Sequence, residues 1–188
     1  MPPVEDVDRG WKKIEAELRK LSELEVVTGV QGSEEQQLVR VAAINEFGSK
    51  KWVVTSKQAY FMARRLMGID PTAEPGRFWA TFRTLRGKVM QVPERSYLRA
   101  SIDANPEVIR TAMLRFFDKV AAGELEAPIA MAQFGAFTEA LVKKWMRDFS
   151  DPPNAPLTIH VKKADNPLID KGRLVNSIRF RVRPKGGS

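Results

Sequence analysis

Residues 166–178 read NPLIDKGRLVNSI, and residues 177–183 run on as SIRFRVR. The two pieces decide the fold because the pattern changes between them. In SIRFRVR apolar and charged side chains alternate, which is the period of a half-buried strand. In NPLIDKGRLVNSI a Pro stands near the start, Gly172 interrupts, and short apolar runs are flanked by polar residues, so it is neither a plain helix nor a plain strand. Residues 157–163, LTIHVKK, alternate as SIRFRVR does. The segment therefore reads as the link between two final strands. A short helix or turn is expected around Gly172 to Val175, with Leu174 and Ile178 filling the core and Ser177 bonding nearby backbone.

Helices precede this end. From Pro128 onward, Met131, Phe134, Phe137, Leu141, Val142 and Trp145 make a broad apolar face, which predicts a central buried helix, closed by DPPNAP at 151–156. Before it, Asn105 is expected to cap a helix with Pro106 at its first position. Ile109, Met113, Phe116, Phe117 and Val120 then face inward. At the start, Val4, Val7, Trp11, Ile14, Leu18 and Leu21 recur at spacings of three and four, predicting an amphipathic helix over 1–24 ahead of one α+β domain over 25–188. EVVTGV at 25–30 and KWVVT at 51–55 read as short strands. Ser33 is a candidate N-cap, with Gln36 at the capping-box position, for a helix ending at Gly48; Ser56 is the candidate cap of another ending at Gly68.

The expected class is α+β, a small antiparallel sheet packed with several helices and carrying an extended loop or hairpin arm. The arm is the excursion at about 69–92. Pro71, Pro75 and Gly76 argue for a loop there, and Phe78, Trp79, Phe82, Leu85 and Val89 for a strand or hairpin. Arg77, Arg83, Arg86 and Lys88 surround these aromatics. An apolar centre with a basic rim suits an arm that reaches a neighbouring protein. The alternative is that the aromatics fold back on their own helices.

Composition narrows the function. The chain has 188 residues, 43% hydrophobic and 29% charged, enough to bury a core. It contains no apolar run long enough for a membrane span. The acidic start, MPPVEDVDRGW, lacks the apolar region of a secretory signal. The absence of Cys excludes disulfides and thiolate metal sites and fits assembly in a cytoplasm. His160 is the single His, so Cys–His catalysis and multi-His zinc sites are excluded, and no P-loop or GxGxxG occurs. No enzyme activity, cofactor or metal is expected. The net charge of +8 is uneven: −4 over residues 1–47, +7 over 48–103, −1 over 104–159 and +6 over 160–188. Blocks of opposite sign suit pairing within a subunit or complementary, head-to-tail contacts between copies, and an unevenly charged solvated surface is the competing reading. RFRVR and the 48–103 block mix Arg with aromatics, which leaves a basic nucleic-acid-binding protein as the alternative.

Three stretches then combine. Residues 41–48 are VAAINEFG, residues 92–99 are VPERSYLR, and residues 166–178 are NPLIDKGRLVNSI. In this order, with a long helical region between the second and third, they resemble the neck and tail-completion proteins of tailed phages, a virion-morphogenesis family. Its members carry an A…E-F-G helix end, a P-x-R-x-[FY]-[LM] segment and a PL-x-x-T-G-x-L-x-x-S-I segment. The resemblance covers most of residues 38–183. Lys171 departs from it, standing where the family has Thr, so a hydroxyl that closes the local turn is lost.

The resemblance implies an α+β structural virion protein that forms a ring at the head–tail junction, completing or terminating the tail and joining it to the head connector. Implied partners are further copies of the chain (a ring of six, with twelve as the alternative), the tail tube protein, the head connector or head-closure protein, and phage DNA in transient contact. The implied location is the virion neck, assembled in the bacterial host cytoplasm, with no membrane involved. Candidate subunit or partner contacts are Glu46, Phe47, Phe78, Trp79, Phe82, Arg95, Tyr97, Arg99 and Arg173, with Gly48 and Gly172 as turns. For all three motifs, stabilising the fold alone is the competing reading.

Overall fold

The computed structural model describes residues 10–31, 35–155, 158–159, 163, 165–169 and 172–186. The chain is α+β, with elements in the order α1 (Trp11–Glu23), β1 (Leu24–Val30), α2 (Gln36–Phe47), β2 (Trp52–Val53), α3 (Ser56–Phe61) running into a π-helical turn (Met62–Leu66), α4 (Pro75–Leu85), β3 (Val89–Met90), α5 (Leu98–Asp103), α6 (Pro106–Ala121), α7 (Ala127–Asp148), α8 (Arg173–Ser177) and β4 (Ile178–Pro184). These elements group into two compact units. The first holds α1, β1, α5, α6, β4 and α7 up to Trp145; the second holds α2 to β3 and residues Met146–Val175.

In the first unit β1 and β4 pair antiparallel, from Leu24 opposite Pro184 to Val30 opposite Ile178. Alternation puts Leu24, Val26 and Val182 on one face, where they pack on a core of Leu21, Val120, Ala127, Ala130 and Met131. Phe180, on that same face, lies against Gly135 of α7. A Cβ at Gly135 would stand 2.2 Å from the Phe180 ring, so the helix needs Gly where the ring crosses it. The Thr28 and Thr138 hydroxyls meet at 2.7 Å. Glu139 accepts the Phe180 N–H at 3.0 Å, covering a donor that the ladder leaves at the sheet edge. Glu17 of α1 accepts from Lys20 at 2.6 Å and from the Ala127 N–H at 2.8 Å. These two bonds, Lys20 first, hold its carboxyl below the usual carboxylate range and satisfy the first turn of α7.

The strand expected at the C-terminus is therefore present, but its partner is not. β4 pairs with β1, whose β-branched Val26, Val27 and Thr28 favour strand. The predicted neighbour over 157–163 is not borne out where it is described: Thr158 and Ile159 are helical, both N–H groups donating to the Ala155 carbonyl. Alternation over so few residues also fits a single helical turn. His160 lies outside the described residues. The 166–178 segment thus leads through α8 directly into β4, instead of linking two strands.

The second unit also differs from expectation. Residues 69–92 are built around one helix, α4, and their only strand is Val89–Met90, which pairs with Trp52–Val53. Pro75 stands at the start of α4, where a missing N–H costs nothing, so it begins regular structure instead of breaking it. Phe78, Phe82 and Leu85 follow at helical spacing. Phe78 is fully buried with Ala63 and Ile69, while Phe82 packs on Val54, Ala59 and Leu85. The aromatics fold back on their own helices. The cap of α3 is Thr55, one residue before Ser56, in a reciprocal box with Gln58: the Gln58 N–H donates to Thr55 Oγ1 at 3.3 Å and the Thr55 N–H to Gln58 Oε1 at 2.9 Å. Asn105 precedes α6 without a side-chain cap; its Nδ2 donates to the Ser101 carbonyl. Ser33 lies outside the described residues.

Candidate functional site

The first two motifs meet in the second unit. α2 ends at Phe47, and Gly48 turns the chain with φ of 72°. A Cβ at Gly48 would stand 3.0 Å from the Glu94 nitrogen and 3.2 Å from the Val92 oxygen, so both the dihedral and the close approach call for Gly. The Arg95 N–H donates to the Asn45 carbonyl at 2.7 Å. Glu46 is only 5% exposed. Its Oε1 accepts from the Ser96 hydroxyl at 2.7 Å and its Oε2 from the Tyr97 N–H at 2.8 Å. Burying a carboxylate costs several kcal/mol on the order of magnitude typical of charged groups, and such hydrogen bonds offset that cost.

The second motif reaches on toward the third. Arg95 is buried and donates from Nε to the Pro152 carbonyl at 3.1 Å and from Nη2 to the Pro153 carbonyl at 3.0 Å. Loss of hydration lowers its pKa. Tyr97 is buried beside it; burial first, then the nearby Glu46 charge, push its phenol well above the usual range. Asn154 donates to the carbonyls of Asp165 and Asn166. Asn166 in turn accepts the N–H groups of Leu168 and Ile169, each at 2.9 Å, and donates to the Arg147 carbonyl at 2.8 Å at the end of α7. Leu168, Leu174 and Val175 are buried behind this turn. A relay of buried polar side chains therefore runs from VAAINEFG through VPERSYLR and DPPN to the start of NPLIDKGRLVNSI. Gly172 takes φ of 72°, as a turn requires; Asp170 and Lys171 lie outside the described residues.

No protein-family model matches this chain, and neither a curated protein nor a solved structure matches it significantly.

The candidate contact residues separate into two groups. Glu46, Arg95 and Tyr97 come together, and their side chains are engaged inside the unit. Phe78 and Phe82 belong to its apolar clusters. Phe47, Trp79, Arg99 and Arg173 are on the surface, Arg173 paired there with Glu35. Among the described residues no cluster of His, Asp and Glu is arranged to hold a metal ion.

Two features escaped the sequence reading. Asn154 lies in DPPN, which read only as a helix break, yet it anchors the third motif. The second is the outer side of α2. The helix buries Leu38, Ala42 and Glu46 at spacings of four, while Val41, Ile44 and Phe47, spaced by three, stay 40, 42 and 69% exposed. That second apolar stripe was readable from periodicity alone.

Proposed function

We propose that this chain is a structural virion protein that forms a ring at the head–tail junction of a tailed phage, completing or terminating the tail and joining it to the head connector. The observation that carries this reading is the two-sided apolarity of α2. A helix that is apolar on opposite sides has two surfaces to cover. The side with Leu38 and Ala42 is buried, and the side with Val41, Ile44 and Phe47 is left for another molecule. The buried Glu46 bonds fix the end of this helix to residues 96 and 97, so the open side is presented on a rigid support.

The three motifs and their resemblance to neck proteins supply the location and the partners: other copies of the chain, the tail tube protein and the head connector. Six copies are the first choice and twelve the alternative. Contacts between copies are heterologous, closing head to tail into a ring, and interface area carries the function. Within the subunit Glu25 of the acidic block pairs with Arg183, while Glu15 and Glu17 pair with Arg19 and Lys20 of the same block and leave its net charge unchanged.

Mass measurement of the purified chain tests the reading. The expected mass is six times the 21.2 kDa of one subunit, or twelve times in the alternative ring. Ile44→Asp together with Phe47→Asp should return it to one subunit that keeps its helical circular-dichroism spectrum, because both side chains are exposed in the isolated chain. A single-subunit mass for the unaltered chain at every concentration would overturn the proposal.

A further inference from the structure

Residues 50–91 are inserted between the first two motifs, and the insertion is closed at its base. The Ser49 N–H donates to the Val92 carbonyl at 3.0 Å and the Val92 N–H to Ser49 Oγ at 2.9 Å. Next to this clasp Trp52 pairs with Met90 and Val53 with Val89. Among the described residues, the two apolar clusters within, around Val54, Ala59 and Leu85 and around Ala63, Ile69 and Phe78, draw only on residues of the insertion. The insertion is a module with apolar clusters of its own and adjacent ends.

That surface is aromatic and basic. Tyr60 of α3 and Trp79 of α4 both rest edge-on against the buried Phe78, with ring centroids 5.1 and 5.2 Å away, and remain 37 and 46% exposed. Arg64 follows Tyr60 by one turn and donates to its hydroxyl at 3.3 Å. Arg83 and Arg86 follow Trp79 by four and seven positions, which puts them on its side of α4. Lys57, Arg65, Arg83 and Arg86 make no ion pair among the described residues. The module's two carboxylates are already engaged, Asp70 with Thr72 and Ala73 and Glu74 with Arg77. The module carries nine Lys and Arg against these two carboxylates, so most of its positive charge has no counterion within it. Paired aromatic faces with guanidinium groups one and two turns away fit unpaired bases and their phosphates.

We propose that residues 50–91 form a nucleic-acid-binding module for a single-stranded segment, with bases stacking on Tyr60 and Trp79 and phosphates held by Arg83 and Arg86. The inference goes beyond ring assembly and does not depend on it.

Fluorescence anisotropy of the full chain with a short labelled oligothymidylate tests it, titrated from low to physiological salt. The oligonucleotide should bind, and more tightly than a duplex of the same length. Trp79→Ala should weaken binding on the order of tenfold with little change in salt slope, since stacking carries no charge. Arg83→Gln with Arg86→Gln should reduce the slope of log K against log salt by about 1.4, the loss of two single-strand phosphate contacts. Replacing residues 50–91 by a short Gly-Ser linker should abolish binding and leave the solution mass of the assembly otherwise unchanged. No binding at low salt would overturn the proposal. So would equal affinity for oligonucleotide, duplex and polyglutamate with Trp79→Ala silent, which is the behaviour of a diffuse cationic surface or of a site for an acidic protein. The point variants decide the matter even if the excised chain does not fold.

Discussion

Glu46→Ala should lower the folding stability of the chain by about 3 kcal/mol, read by chemical denaturation. The substitution removes the acceptor of the buried Tyr97 N–H and of the Ser96 hydroxyl together. The Tyr97 N–H has no water to replace the lost acceptor, since Tyr97 is buried. The cost is thus more than that of one ordinary hydrogen bond, because a buried donor is left unmet and a charge-assisted bond is lost. Glu46→Gln keeps one carbonyl oxygen and should lose less. A loss under about 1 kcal/mol for Glu46→Ala would mean that the two motifs are joined by the backbone bonds around Ser49 and Asn45 alone.

Phe78→Ala should cost about 3–5 kcal/mol, the size expected for truncating a fully buried aromatic. Phe78 is 0% exposed, packs on Ala63 and Ile69, and supports both Tyr60 and Trp79. Trp79→Ser, one position along, should cost no more than about 1 kcal/mol because much of that ring faces water. Thermal or chemical unfolding of the two variants checks the contrast. Equal losses would put Trp79 inside the fold and remove it from any surface role. The sequence reading paired Trp79 with Phe82 as one arm; in the structure the two rings meet edge-on with centroids 5.4 Å apart, but Phe82 packs into the cluster around Val54 while much of Trp79 faces water.

The residues show why some of the fold was legible and some was not. α6, α7 and β4 were readable because their apolar positions repeat over many residues with one period. The same is true of Leu38 and Ala42 in α2. The excursion misled because Pro71, Pro75 and Gly76 were weighed as breakers, although Pro at a first helical position begins a helix as readily as it stops one. Spacings of four and three from Phe78 through Phe82 to Leu85 carried the helical signal. The pairing of β4 was hidden for a different reason. Alternation marks a strand but does not name its partner, and β1 lies about 150 residues away in sequence, at the other end of the chain. At the candidate site, Glu46, Arg95 and Tyr97 were legible as important but not as neighbours. Three short motifs far apart in sequence meet through side-chain bonds to backbone groups, which no local pattern encodes. Glu46, Arg95 and Tyr97 proved to be internal supports, while Val41, Ile44 and Phe47 of the first motif are exposed and form the surface that the proposed assembly would cover.

Cryo-electron microscopy of tailed-phage particles assembled with this chain present tests the proposed ring at the neck most directly. The account predicts a ring of six copies, or twelve, between the head connector and the tail tube, with Val41, Ile44 and Phe47 of α2 covered by a neighbouring copy or by one of those partners. Absence of the chain from the finished particle, or its presence elsewhere with that side of α2 open to solvent, would contradict it.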